Sequence, residues 1–317
     1  TMPFVLFSCV NFESIMSEPR SPIEISANGI SNVIIKMNLS SASGIDNINS
    51  KILKNTQVII SAAFQLLFSQ SLSQGQVSSD WKLGKITPLF KNGNKASPYN
   101  YLPISLTSVP SNIIKHLLFT NIINHLEQHN FIHPSQHGFR KGLSCETQLA
   151  AFIHDLHTNL DRNIQTDAIF LDFEKAFDKV PHHRLMTKLS LLNLDPLVLS
   201  WINNFLTDRK QFVVINTAKS QISPVLPGVP QGTELGPLLF LIYINDLPHC
   251  ITNNIRLFAG DCVIYATIAS HEDQIALQVD LTAIQNWCHK WKMSLNISKF
   301  RSVSFHRRTN PLKYNYA

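Results

Sequence analysis

The chain has 317 residues, 44% hydrophobic and 15% charged, which excludes a disordered polyelectrolyte and fits one large or two ordinary globular domains. A formal net charge of +6 and a pI near 9.0 suit a polyanionic partner. Cys9, Cys145, Cys250, Cys262 and Cys288 stand far apart, which excludes a closely spaced zinc motif or a disulfide framework and suits a reducing interior.

In chain order, residues 2–10 are apolar but lack a basic flank, so they make a poor signal peptide, and no apolar run reaches membrane-spanning length. An intracellular protein, nuclear or cytoplasmic, is expected. Residues 30–39 have helical and strand character alike. A turn cluster at 41–47 leads into a short helix start at 48–53, and residues 58–72 carry apolar side chains at helical spacing. Residues 81–90 alternate as a strand, Lys91 to Lys95 read as a hairpin turn, and a strand at 103–106 precedes a helix at 113–126. Residues 145–160 form an amphipathic helix and 167–172 a strand. Helices follow at 182–192 and 197–206, with a strand pair at 212–215 and 222–226. A buried helix at 237–245 precedes a hairpin of 255–259 and 262–266. The long helix at 272–291 places Trp287 and Trp291, four apart, in the core. Helices alternating with antiparallel pairs point to an α+β fold.

Charge is unevenly distributed. Residues 81–141 carry seven Lys or Arg and one acid, Glu127; residues 284–317 carry seven and no acid. Two basic surfaces around an acidic middle suit a phosphate-backbone channel, although solvated faces give the same pattern.

Three stretches carry candidate chemistry. An apolar run ends in Asp172 at the close of a strand, within Ile169-Phe-Leu-Asp-Phe-Glu-Lys-Ala-Phe-Asp178. Such an Asp is ordinarily a turn or capping residue, but a strand end is also where a carboxylate is held still for metal work. Leu257-Phe-Ala-Gly-Asp-Cys-Val-Ile-Tyr265 reads as two strands with a tight turn at Gly260-Asp261. Between them, Gly228-Val-Pro-Gln-Gly-Thr-Glu-Leu-Gly-Pro237 is a glycine-rich loop entering an apolar helix.

From about Ser43 onward the chain resembles the reverse transcriptase of jockey-like non-LTR retrotransposons. The resemblance rests on an ordered series: Trp81-Lys82, Asn100-Tyr-Leu-Pro-Ile-Ser-Leu106, His137-Gly-Phe-Arg-Lys-Gly142, Leu171-Asp-Phe173, Pro230-Gln-Gly232, Phe258-Ala-Gly-Asp261 and Leu295-Asn-Ile-Ser-Lys299. It implies a right-hand polymerase fold reduced to fingers and palm, with the thumb missing. Residues 1–80 would form an N-terminal extension and the start of the fingers, 81–165 the fingers, and 166–317 a truncated palm. It implies nucleotidyl transfer by two Mg²⁺ ions, with an RNA template, a DNA primer and deoxynucleoside triphosphates as partners. Asp172 and Asp261 would be metal ligands and Lys299 the proton donor to pyrophosphate. Phe173, Ala176, Phe177, Gln231, Gly232 and Lys91 would contact the nucleotide, with Phe177 as the gate against a 2′-hydroxyl, and Lys95 would share the role of Lys91. Arg140 and Lys141 would contact the template.

Three departures stand out. Gly260 occupies the place of a bridging metal-binding Asp, and Asp261 matches only its neighbour. Leu102 replaces the Arg that clamps the triphosphate, and Glu234 replaces an aliphatic residue. The first two imply an impaired copy, the alternative being a decayed fragment that binds RNA or DNA without polymerising. A palm turned protein-interaction module would instead expose a new apolar patch.

Overall fold

The computed structural model describes residues 23–317 except Ser41 and Leu226; the apolar segment at 2–10 lies outside the described residues. Short polar side chains start several helices by accepting a backbone N–H: Ser26 from Gly29, Asn49 from Ile52, Ser108 from Ser111 and Asp195 from Leu197. Ser144 and Ser270 form capping boxes with Thr147 and Asp273. In order, the elements are α1 (Ala27–Lys36), α2 (Ser50–Asn55), α3 (Gln57–Ser73), α4 (Ser79–Lys82), β1 (Leu83–Phe90), β2 (Tyr101–Leu106), α5 (Val109–Gln128), α6 (Cys145–Asp161) and β3 (Gln165–Asp172). There follow α7 (His182–Leu189), α8 (Pro196–Leu206), β4 (Arg209–Ile215), β5 (Ala218–Lys219), β6 (Ser223–Val225), α9 (Leu235–Ile244), β7 (Asn254–Phe258), β8 (Asp261–Ile268), α10 (His271–Trp291) and β9 (Arg301–Phe305). The α+β expectation holds.

The described chain divides into two compact units. One comprises residues 130–181 and 240–317, the other 23–129 and 182–239. The first is built on a four-stranded antiparallel sheet in the order β7-β8-β3-β9. Strand β3 is central and nearly all buried, which is why Ala168 to Leu171 form an unbroken apolar run rather than an alternating one. Side chains still alternate between its faces. Ala168 and Phe170 pack with Tyr265 and Val263 against Phe152 and Leu156 of α6. Helix α10 packs against β8 and buries Leu277, Leu281 and Ile284.

Beneath β3 lies a polar knot. Asp167 is 1% exposed and accepts hydrogen bonds from Gln165 (2.9 Å), Gln274 (3.0 Å) and Tyr316 (2.7 Å). Burial alone would raise its carboxyl. Hydrogen bonds from Ser304, Gln274, Gln165 and Tyr316 outweigh that and hold it below the usual range.

In the second unit β1 pairs antiparallel with β2 and, across more than a hundred residues, parallel with β4, which also carries β5 and β6. Phe64, Phe68 and Leu72 of α3 are buried, as is Trp201 of α8, whose Nε1 donates to Ser71 Oγ at 3.0 Å. Helix α9, divided between the two units at Leu239 and Phe240, is apolar all round and buried nearly all round, as such a composition requires.

Several sequence expectations shift. Of residues 30–39, those up to Lys36 lie in helix α1 and Met37 to Leu39 lie beyond its end. Trp81 lies in α4, so the strand starts at Leu83. The 182–192 helix ends at Leu189 and continues as a 3₁₀ turn. Trp287 is buried, but Trp291 is only half-buried, its ring edge-on to Tyr243 at 5.8 Å. Strand β9 was not legible: four of its five residues are exposed and its pattern is polar.

Candidate functional site

Antiparallel register puts Asp172, the last residue of β3, opposite Asp261, the first of β8, on the face shared by Phe170 and Val263. The hairpin turn is therefore Ala259-Gly260, one residue earlier than the sequence suggests, because Phe258 pairs with Asp261. Ala259 rather than glycine takes the left-handed conformation, at φ 53°; Gly260 does not. The reason is visible next door. Gln136 clamps Ala259 from both sides, its Oε1 accepting from Ala259 N at 2.9 Å and its Nε2 donating to Ala259 O at 3.3 Å. A tertiary contact has overridden the local turn preference.

Segment 294–299 completes the rim. Asn296 N donates to Asp172 O and Glu174 N to Ser294 O, both at 2.8 Å, with a lone antiparallel bridge between Phe173 and Leu295. This lays Lys299 Nζ 3.0 Å from Asp172 Oδ2, and Asn296 Nδ2 lies 3.4 Å from the same oxygen. Asp172, Asp261, Lys299, Arg256, Gln148 and Phe258 line a cleft of about 360 Å³. Although Asp261 keeps an edge open to water, desolvation toward the cleft, the Asp172 charge and a hydrogen bond between the carboxyls hold its carboxyl above the usual range. Lys299 pulls the other way. Two carboxylates that repel, with a cation bound to one, are the chemistry of a cation site.

The remaining candidates in this unit cluster behind the turn. Phe177 sits 4.6 Å from Phe240 and edge-on to Phe139 at 6.0 Å. Phe173 is buried edge-on to Trp287. A side chain built on Gly260 would place its Cβ 3.0 Å from Ala176 Cβ and 3.7 Å from the Phe240 ring. The loop 137–142 packs directly on the turn: His137 N donates to Leu257 O, and Gly138 lies against Ala259. Arg140 reaches back to Gln136 O at 3.5 Å, and Lys141 is exposed.

Gln231, Gly232, Lys91, Lys95 and Leu102 belong to the other unit. Leu102 pairs with Leu89 across the β1–β2 hairpin, and exposed Lys91 begins its loop. Lys95 Nζ lies 5.6 Å from the Phe90 ring centroid. Glu234 pairs with His116.

A model of the reverse transcriptase (RNA-dependent DNA polymerase) family matches residues 93–315. The chain belongs to the reverse transcriptase family. It is 29% identical over 308 residues to a probable RNA-directed DNA polymerase from transposon X-element of Drosophila melanogaster, covering 94% of this chain and 34% of that protein. It is similar to the RNA-directed DNA polymerase of the mobile element jockey from the same organism, at 27% over 304 residues, 93% of this chain and 33% of that protein. A probable RNA-directed DNA polymerase from transposon BS matches at 29% over 304 residues. The chain spans about a third of the length of these relatives. The jockey-like resemblance of the motif series is borne out.

A reverse transcriptase working through two hard divalent cations needs a dense set of oxygen ligands. Here the cleft offers two carboxyls, one tied to Lys299, and the adjoining turn residue has no side chain. Among the described residues no group of three or more His, Cys, Asp or Glu gathers. The donors present do not fit a two-ion site.

Sequence reasoning missed two supports of this cleft. One is the Gln136 clamp. The other is a triad in which Asp155 Oδ2 accepts from Arg256 (2.8 Å) and from the Tyr265 hydroxyl (2.5 Å). Arg256, thus fixed, lines the cleft. Asp155 lies 101 residues from Arg256, so no local signal announces the pairing.

Proposed function

We propose that the chain is the reverse transcriptase domain of a non-LTR retrotransposon whose nucleotidyl transfer is impaired at its metal end and which retains nucleic-acid binding. On this reading the paired ends of β3 and β8 are the palm's reaction site, 81–165 supplies the fingers and 166–317 the palm. The RNA template and DNA primer would run along the basic segments, with Arg140 and Lys141 on the template. Lys91, Gln231, Gly232, Ala176 and Phe177 would surround the incoming nucleotide.

The observation that carries the proposal is the register of Asp172 with Asp261. It fixes Gly260 in the turn, so Asp261 cannot replace a residue-260 carboxylate unless β8 slips by one, which would turn its whole apolar face outward. Two Mg²⁺ ions would be the family's cofactor, and this chain lacks one side chain to bridge them. Leu102 adds a second loss, since an apolar side chain offers no bidentate donor to a triphosphate.

The test measures binding and extension on one RNA-template, DNA-primer duplex with Mg²⁺. The proposal expects binding that weakens steeply with salt and no extension. Extension by this chain at the rate of an intact polymerase would overturn it.

A further inference from the structure

We propose that the outer face of α3 pairs two copies of this chain, the two helices packing antiparallel about a two-fold axis that passes between Ala62 and Ala63. The inference does not depend on the polymerase reading.

Helix α3 is apolar on both faces, though only one is covered. Ser61, Phe64, Phe68 and Leu72 are buried on the side that packs against α1 and α8. The opposite side carries Val58, Ile59, Ala62, Ala63, Leu66 and Leu67, all exposed. Val58, Ile59 and Leu66 are 76%, 80% and 75% exposed. Residues three and four apart are neighbours on a helix, so these six form one strip. At such exposures the strip presents roughly 600 Å² of largely apolar surface, the upper end of what a soluble chain leaves open. It is also most of the roughly 800 Å² that each partner of a standard interface covers.

The order of side chains selects a second copy as the occupant. The strip reads the same in both directions: large pairs at 58–59 and 66–67 flank the small pair Ala62-Ala63. In an antiparallel copy, Ile59 meets the partner's Leu66 at each end of the contact. At the centre each alanine meets its own copy, where small side chains let the two helix axes approach, and Val58 and Leu67 close the flanks. Self-complementarity of this kind is what an isologous interface requires.

Charge agrees. The chain carries a net +6, yet α3 has no charged side chain in its 17 residues. Two copies therefore meet there without bringing like charges together, as the core of an interface demands. A nucleic acid or an anionic membrane surface finds on α3 none of the Lys or Arg that it engages.

The test is sedimentation equilibrium of the full chain from about 1 to 200 µM. The parent should dimerise with a Kd in the micromolar range, as suits an interface of this size. Ile59→Glu and Leu66→Lys, both changes at exposed positions, should each weaken self-association about tenfold or more by burying an uncompensated charge. Mixed in equal amounts, the two variants should pair again. Each mixed dimer sets the new carboxylate against the new ammonium at one end and keeps the original Ile59–Leu66 contact at the other. That recovery also shows that both variants are folded. A parent that stays monomeric throughout the range overturns the proposal and leaves the face to a different partner. Variants that associate as tightly as the parent, or a mixture that pairs no better than its components, overturn the antiparallel pairing of α3.

Discussion

Gly138→Ala tests how rigidly the 137–142 loop and the β7–β8 turn are locked together. A Cβ on residue 138 would lie 2.3 Å from Ala259 N, 3.0 Å from Phe258 C and 3.1 Å from Ala259 Cα. All three are backbone atoms, so no side chain can swing aside. Reaching ordinary contact moves the turn by about 1 Å, against the Gln136 clamp. Overpacking of this kind costs about 1–3 kcal/mol. At roughly 2 °C per kcal/mol for a chain of this size, melting should fall by a few degrees. The second readout is local. The Asp261 carboxyl, followed by ¹³C-detected titration, should drop toward the ordinary range as the turn carries it from Asp172. In any variant with restored polymerase activity, the same 1 Å displacement should cost roughly 100-fold in rate. An unchanged melt together with an unchanged Asp261 titration would refute the claim that this loop positions the turn.

Two further predictions concern charge. Asp261→Asn should stabilise the chain at neutral pH. The folded-state carboxyl titrates above its unfolded value, so its favourable contribution is complete below about pH 4 and lost as pH rises through the folded value. The advantage of Asn should therefore vanish in acid; a difference constant across pH contradicts the pairing with Asp172. Lys115→Met should stabilise by about 1–4 kcal/mol, because a stem of similar length keeps its packing on Phe205 while a buried charge is removed. With the folded-state ammonium depressed, the penalty of Lys is full below its folded value and disappears as pH rises toward about 10.4, so the two melting curves should converge in alkali. Lower stability of the Met variant at neutral pH would show that the charge is compensated within the protein.

What was legible in the sequence was what local pattern encodes. The apolar run before Asp172 and the strand-turn-strand pattern of 257–265 identified β3 and β8, and helical spacing and amphipathicity identified α3, α6 and α10. The turn was read one residue late because glycine attracts a turn assignment, whereas here Gln136, 123 residues away, holds Ala259 in the left-handed conformation. Strand β9 carries Arg301 and two serines on an exposed edge, so no hydrophobic alternation marks it. The β1–β4 pairing and the Asp167 knot join residues too distant for any window. Motif order brought Asp172, Asp261 and Lys299 forward together, and the coordinates place them on one cleft. It gave no hint of Lys115, because a buried cation looks like any lysine until its surroundings are known.

The most direct measurement is primer extension on an RNA template with Mg²⁺, comparing this chain with the Gly260→Asp, Leu102→Arg double variant. The new carboxylate has to settle against Ala176 at a Cβ contact of 3.0 Å, a shift of a few tenths of an ångström, and the turn needs no change of φ sign. Because residues of a reaction site act as a unit, the double variant should extend faster than the parent by about three orders of magnitude or more. Comparable extension by the parent would mean that Asp261 serves after all, and that the β3–β8 register does not decide the chemistry.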